Sequence, residues 1–180
     1  MAKAQTRDRL LDTAIATVRT HGITGLTLDS VAKEAGVSKG GLLHHFRSKD
    51  MLIETMLRRL FAQFAARVQA YADAEPPTPG RWLRAYVRAT FDDEPPPLEL
   101  IVVLLSGMMT NDVLMTLVRD DWRHWQQRLL DDGVLAARAM VIRQAADSFW
   151  LERLMDVAPS DYAARAELMN ELLKLTEVDV

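Results

Sequence analysis

The sequence predicts an all-α protein in which a small N-terminal head precedes a larger helical body. Apolar residues recur at three- and four-residue spacing along most of the chain, which is typical of amphipathic helices. Proline and glycine interrupt this pattern at residues 75–80 and proline again at residues 92–97, where helices are expected to end. Of the 180 residues, 49% are hydrophobic, which is enough to fill a substantial core.

The head is predicted to contain three helices, an amphipathic one followed by two short ones. The first covers about residues 4–21 and ends at Gly22. Thr27 is placed to cap a second helix, Gly36 to end it in the left-handed conformation, and Ser38 to cap a third. Two short helices joined by such a tight turn indicate a helix-turn-helix, whose second helix lies in the major groove of DNA. A helical hairpin without any DNA contact has similar spacing, so these residues alone leave that alternative open.

The rest of the chain predicts six more helices, which makes nine in all. The segment 98–109 is almost wholly apolar, so we expect it to form a central, buried helix. The six predicted helices cover about residues 48–72, 81–91, 98–109, 110–132, 136–155 and 161–176.

Charge is distributed unevenly along the chain, although the net charge is only -3. Residues 1–60 hold ten lysines and arginines against six acids, whereas the remaining 120 residues hold twelve bases against nineteen acids. A basic head on an acidic body is typical of a protein that meets phosphate with one end. The distribution therefore favours a nucleic-acid partner despite the negative total.

Several classes of protein are disfavoured. The chain has no cysteine, so disulfides and thiolate metal sites are excluded. The N-terminus lacks an apolar signal core, and the longest apolar run, residues 100–105, is too short to cross a bilayer. We therefore expect a soluble, cytoplasmic protein with no membrane partner.

We expect neither an enzyme nor a bound cofactor. The four histidines are scattered, and the sequence contains no Gly-x-Ser-x-Gly motif and no phosphate loop. It also lacks the paired Glu-x-x-His motifs that a helical di-iron site requires. The adjacent His44 and His45 point about 100° apart on a helix, so they are not expected to chelate one metal from the same face.

The N-terminal block resembles the TetR family of bacterial transcriptional regulators. The resemblance covers about the first 55 residues, and the matching residues are Leu10, Leu11, Ala14, Gly22, Thr27, Val31, Ala32, Ala35, Gly36, Val37, Ser38, Lys39, Gly40, Leu42, His45, Phe46, Lys49 and Leu52. Family members usually carry tyrosine where this chain has Leu43, so the phosphate contact of that hydroxyl does not transfer. The resemblance implies a DNA-binding domain at residues 1–47 and an effector-binding and dimerisation domain at residues 48–180.

Eight residues of the head are predicted to contact double-stranded DNA. Lys39 can donate to guanine O6 and N7 or pair with a phosphate. The glycines beside it remove side chains where the backbone approaches DNA, although plain loop chemistry would also explain either one. The resemblance adds the two histidines and Lys49, a cation beside a positive helix end that a bound phosphate would explain. The set is Thr27, Ser38, Lys39, Gly40, Gly41, His44, His45 and Lys49.

Aromatic and methionine side chains of the body are candidates for an effector pocket, which the resemblance implies. Adaptable methionine beside aromatic rings suits a bulky apolar ligand, and the carboxylate of Asp121 could pair with a cationic compound. Plain core residues, and a solvated acid at Asp121, are the alternatives. The candidates are Trp82, Tyr86, Phe91, Met108, Asp121, Trp122, Trp125 and Phe149.

The last two predicted helices carry too many apolar residues for one buried stripe. A homodimer held by a four-helix bundle is preferred over a monomer core, because the family assembles in that way. The predicted interface residues are Met140, Ala145, Phe149, Leu168, Leu172 and Leu175. Two-fold symmetry would bring two heads to successive turns of a palindromic operator. The sequence thus predicts an effector-released repressor; a helical protein-interaction module is the alternative.

Overall fold

The structure is a computed structural model that describes residues 2–92, 101, 111–155 and 162–177. All regular secondary structure in these ranges is helical, which confirms the predicted all-α class. The helices are α1 (Ala2–Gly25), α2 (Leu28–Glu34), α3 (Lys39–His45), α4 (Lys49–Asp73), α5 (Arg81–Thr90), α6 (Asp112–Leu130), α7 (Ala136–Met155) and α8 (Tyr162–Lys174). The predicted helix at 98–109 lies outside the described residues except for Ile101, so the ninth helix stays a prediction.

The chain packs as two compact units. Unit 1 contains residues 1–61 and 96–118, and unit 2 contains residues 62–95 and 119–180. Helices α4 and α6 each contribute residues to both units. This division follows packing, whereas the predicted boundary between residues 47 and 48 divides the chain by function, and that boundary stays a prediction.

Unit 1 is held together by an apolar core to which α1, α2, α3 and α4 all contribute. The fully buried side chains of this core include Leu10, Val31, Leu42, Phe46 and Leu52. Truncating a buried leucine of this kind to alanine typically lowers the free energy of unfolding by about 2–5 kcal/mol. Packing of these side chains therefore fixes the four helices against one another.

Polar contacts fix the helices of unit 1 at their edges. The Thr17 hydroxyl of α1 donates to Glu34 Oε2 at 2.7 Å, and His21 Nε2 lies 3.2 Å from Glu34 Oε1. On the other side of α1, an Arg59–Asp12 ion pair with a 2.7 Å Nη1–Oδ1 distance joins α4. The end of α2 and the first half of α4 are therefore both anchored to α1.

Glycine conformation ends α1 where the sequence predicts. Gly22 has φ 68° and ψ 180°, so the regular helix stops there and only a short helical turn continues to Gly25. Gly36 has φ 65° in the turn between α2 and α3. A side chain is strained at such positive φ values, which is why glycine is suited to both positions.

In unit 2, a residue from a distant part of the chain caps the start of α5. Gly80 precedes α5 with φ 79° and provides no side-chain cap of its own. Instead, Asp132 Oδ2 accepts a 2.8 Å hydrogen bond from the Leu83 N–H, and the Asp132 carbonyl accepts one from the Gly80 N–H at 2.7 Å. A Cβ atom at Gly80 would lie 2.7 Å from the Thr176 carbonyl oxygen, so this approach also requires glycine.

A membrane-spanning helix is absent from the described ranges: each helix there is too short or too polar to cross a bilayer.

Candidate nucleic-acid interface and ligand site

Local hydrogen bonds form the helix-turn-helix that the sequence predicts. Thr27 Oγ1 accepts from the Ser30 N–H at 3.0 Å, and Ser30 Oγ accepts from the Thr27 N–H at 3.0 Å, which is a reciprocal capping box. Ser38 Oγ accepts from the Gly41 N–H at 3.0 Å and caps α3. Both hydroxyls thus have a structural role, and both residues are exposed to solvent.

Helix α3 buries one side and presents the other to solvent. Leu42 and Phe46, four residues apart, are fully buried in unit 1. The remaining positions of the segment are exposed, apart from the partly buried His45; the exposed ones are Lys39, Gly40, Gly41, Leu43, His44 and Arg47. The geometry therefore groups five of the predicted DNA contacts, residues 39–41, 44 and 45, on or beside one accessible surface.

The two glycines at the start of α3 differ in the space that a side chain would have. A Cβ atom at Gly41 would lie 3.3 Å from Ser38 Oγ, so that side chain would press on the cap. At Gly40 the nearest atom would be Ser38 Oγ at 4.0 Å, an ordinary contact. Packing thus explains a glycine at position 41 and leaves position 40 open to a side chain.

Lys39 and Lys49 both have partners within the head. Lys39 Nζ lies 2.9 Å from Asp29 Oδ2, an exposed ion pair between α3 and α2. Lys49 Nζ donates to the Ile23 carbonyl at 3.5 Å, near the end of α1. A lysine is stabilised near the negative end of a helix, so the position of Lys49 has an explanation that needs no bound phosphate.

The two histidines of α3 contact each other edge to face, with ring centroids 5.5 Å apart. Within the described parts of the chain, no group of three or more histidine and acidic side chains is arranged to hold a metal ion.

Two aromatic clusters lie in unit 2. Phe64, Tyr86 and Trp125 contact one another with ring centroids 5.3–5.7 Å apart. Phe91 and Phe149 stack in parallel at 4.1 Å. Four of the predicted ligand residues, Tyr86, Phe91, Trp125 and Phe149, therefore meet in two contacting groups and are buried.

A buried polar network borders the first cluster. The Tyr86 hydroxyl donates to Asp147 Oδ1 at 2.6 Å, and Arg143 Nε lies 3.4 Å from Asp147 Oδ2. Arg143, only 4% exposed, also donates to Gln126 Oε1 at 2.5 Å and to the Trp122 carbonyl at 3.3 Å. The network joins α5, α6 and α7.

Burial of this network favours the neutral forms of Asp147 and Tyr86. It raises the pKa of Asp147, although the Tyr86 hydrogen bond and Arg143 act in the opposite direction. The pKa of Tyr86 lies well above its ordinary value, because of burial first and the nearby Asp147 second.

The other predicted ligand residues have different surroundings. Trp82 has the guanidinium of Arg128 3.6 Å from its ring centroid. Trp122 is 51% exposed, with Arg143 4.1 Å from its ring centroid, so it is not a core residue. Asp121 is partly buried, and that burial raises its pKa; it is therefore not the fully solvated acid of the alternative interpretation. Met108 lies outside the described residues.

The predicted interface residues fall into two groups. Met140, Leu168 and Leu175 are exposed large apolar side chains, at 44%, 38% and 38%. Ala145 is partly buried, whereas Phe149 and Leu172 are each 3% exposed and belong to the core of unit 2. Phe149 and Leu172 therefore have little surface left for a partner.

Sequence reasoning missed Arg143 and Asp147. Their four-residue spacing on α7 is a signal of an ion pair, but it does not reveal that the pair is buried against Tyr86, which is 61 residues away from Asp147. Asp29 was also missed as a partner of Lys39.

Comparison with known proteins gives related families for the N-terminal and C-terminal parts of the chain. Residues 10–56 match the family described as bacterial regulatory proteins, tetR family, and residues 80–177 match the tetracyclin repressor-like C-terminal domain. The HTH-type transcriptional regulator BetI of Burkholderia thailandensis is 28% identical in an alignment 179 positions long that covers 94% of this chain and 92% of that protein.

Solved structures share the fold. A putative transcriptional regulator from Pseudomonas aeruginosa PAO1 aligns with a TM-score of 0.78 at 18% identity, covering 97% of this chain and 91% of that one. The multidrug binding protein EbrR, complexed with malachite green, aligns with a TM-score of 0.67 at 25% identity, covering 96% and 98%.

We predict that Asp121→Asn stabilises the protein at neutral pH. The folded pKa of Asp121 is raised, so its contribution to stability is fully present below the unfolded pKa of about 4 and is lost as pH rises through the folded pKa. The variant should match wild type in acid and gain up to about 1 kcal/mol at pH 7, a small gain because the side chain keeps part of its solvation.

Urea unfolding followed by circular dichroism, at about one measurement per pH unit from pH 3 to 8, would check this predicted gain in stability. Asp120→Asn is the matched control, because the neighbouring Asp120 is 62% exposed and pairs with Arg123. An equal or larger gain in the control would contradict the assignment.

Proposed function

Since the chain belongs to the tetR family and is a DNA-binding, effector-responsive transcriptional regulator, we propose that it is a repressor that leaves a palindromic operator when a small molecule binds to unit 2. Its DNA partner implies a cytoplasmic protein. The observation that carries the proposal is the one-sided burial of α3, which keeps a basic, glycine-containing surface accessible.

The proposed reading surface is the exposed side of α3 together with the capped start of α2. Lys39 offers donors for guanine O6 and N7 at the start of α3, and His44 lies one turn beyond Gly40 on the exposed side of the helix. Thr27 and Ser38 are exposed at helix starts, where hydroxyl and N–H groups contact phosphate oxygens in other DNA-binding proteins. These contacts would place the N-terminal end of α3 in the major groove.

We further propose a homodimer built from α7 and α8. These two helices carry large apolar side chains that are exposed in the single chain, namely Met140, Val141 and Leu151 of α7 and Leu168 of α8. Burying them against a second copy removes apolar area from water. A two-fold dimer would present two α3 helices, which matches a palindromic operator.

The proposed effector is a bulky apolar or cationic compound. The two aromatic clusters supply apolar faces, and the partly buried Asp121 supplies a carboxylate close to Trp122 and Trp125 in sequence. Aromatic rings and a desolvated acid together attract cations. The likeness to the multidrug binding protein EbrR, which is complexed with malachite green, supports a ligand-binding role for this chain.

The effector would act by preferring one conformation of the dimer. A ligand shifts an equilibrium only by its different affinity for the two states. Helix α4 is the candidate connection, because its residues belong to both units. A panel of aromatic and cationic compounds that bind the protein yet leave operator affinity unchanged would contradict this mechanism.

We predict that selection from a random duplex pool yields a palindromic sequence and that Lys39→Ala binds it about tenfold or more weakly, because one base-reading lysine is lost. Wild-type affinity should fall as salt rises, since phosphate contacts displace counterions. Fluorescence anisotropy with the selected duplex measures both effects.

Lys33→Ala is the matched control, because Lys33 is an exposed lysine of α2 with the same charge. It should lower the affinity less than Lys39→Ala does. Binding that is indifferent to DNA sequence and to Lys39 would contradict the proposal and favour a protein-interaction hairpin.

We predict that Met140→Glu converts the dimer to a monomer, because a carboxylate would be desolvated in an apolar interface. Sedimentation equilibrium gives the mass directly. Val113→Glu is the control, since Val113 is also exposed, at 57%, but lies on α6. A wild-type monomer, or a Met140→Glu variant that stays dimeric, would rule out this interface.

A further inference from the structure

The ion pair between Lys39 and Asp29 joins the first residue of α3 to the first turn of α2. Lys39 Nζ lies 2.9 Å from Asp29 Oδ2, and the two side chains are 59% and 68% exposed. Exposed ion pairs of this kind contribute little to stability. The ion pair by itself therefore adds little stability that would explain an acid beside the principal lysine of the proposed reading surface.

Asp29 differs from the other acid of the helix-turn-helix. Residues 27–49 contain two acids, Asp29 and Glu34. Glu34 is engaged by Thr17 and His21 of α1 and serves the packing of the head. Asp29 instead directs its carboxylate to Lys39, where its charge would oppose the approach of DNA phosphates.

We propose that Asp29 is a selectivity residue that acts through Lys39, an inference that rests on the proposed role of α3 in reading DNA. A lysine ammonium has three N–H donors. With one donated to Asp29, two remain for the O6 and N7 acceptors of guanine. The pair as a whole is close to neutral, so it attracts phosphate weakly while it still offers donors to a base.

The pair also restricts where the ammonium lies. Lysine has a flexible four-carbon stem, and ordering it on DNA costs conformational entropy. The hydrogen bond to Asp29 favours positions of the ammonium near the start of α2 before DNA binds, which lowers part of that cost. Asp29 is therefore a positioning residue, and its effect on DNA binding depends on Lys39.

A purely structural role is the competing explanation. An acid in the first turn of a helix stabilises it through the helix dipole. Asp29 would then alter the stability of α2 without altering how the head distinguishes one DNA sequence from another.

The test is Asp29→Asn in the full chain, bound to the selected operator and to a scrambled duplex of equal length from about 50 to 300 mM KCl. The variant should bind the scrambled duplex at least about threefold more tightly at low salt, because a lysine freed from its acid pairs with phosphate. Operator affinity should change less, so selectivity falls. The slope of log affinity against log salt for scrambled DNA should steepen by about one.

Two further variants separate the explanations. In a Lys39→Gln background, Asp29→Asn should leave the salt slope unchanged, because no ammonium is released. Asp50→Asn makes the same charge change in the first turn of α4, where Asp50 is exposed, and it should leave the ratio of operator to scrambled affinity near the wild-type value.

The inference is overturned if Asp29→Asn changes neither selectivity nor salt slope while wild type still prefers its operator. It is equally overturned if the effect persists without Lys39 or appears in full with Asp50→Asn. A wild-type protein that prefers no DNA sequence would overturn the proposed function itself, which is a distinguishable result.

Discussion

The burial of Leu42 and Phe46 is the constraint on which the head depends. Both side chains are fully buried in unit 1, and the guanidinium of Arg7 lies 5.4 Å from the centroid of the Phe46 ring. Residues four apart share one helical face, so burying this pair turns Gly40 and His44, on the opposite face, toward solvent, and Lys39 is exposed at the first position of the helix. The accessible surface of α3 is thus a consequence of core packing, and it needs no separate stabilising interaction.

Unit 2 combines an apolar core with charges that are expensive to bury. A buried Arg143 is tolerated because Asp147, Gln126 and the Trp122 carbonyl surround it, and an uncompensated charge in that position would be strongly destabilising. The same network holds α5, α6 and α7 together beside the rings of Tyr86 and Trp125. Aromatic surface next to a fixed polar group is the usual composition of a small-molecule site.

The local features of the fold were predictable from the sequence, and the long-range ones were not. Thr27, Ser38 and Gly36 act within one helical turn, so their types alone predict where α2 and α3 begin and end. The burial of Phe149, the exposure of Trp122 and the contact of Lys49 with Ile23 depend on segments far apart in the chain. Periodicity shows which residues share a face, but it does not show what that face meets.

The most direct test of the DNA-reading surface is a paired measurement on Gly40→Ala. A Cβ atom there would be no closer than 4.0 Å to its surroundings, and alanine in a helix is favoured over glycine by up to about 1 kcal/mol. We expect unchanged or higher stability in urea together with at least about tenfold weaker operator binding, a loss of the size of one base contact. Unchanged stability with unchanged operator affinity would show that Gly40 does not approach DNA and would contradict the proposed reading surface.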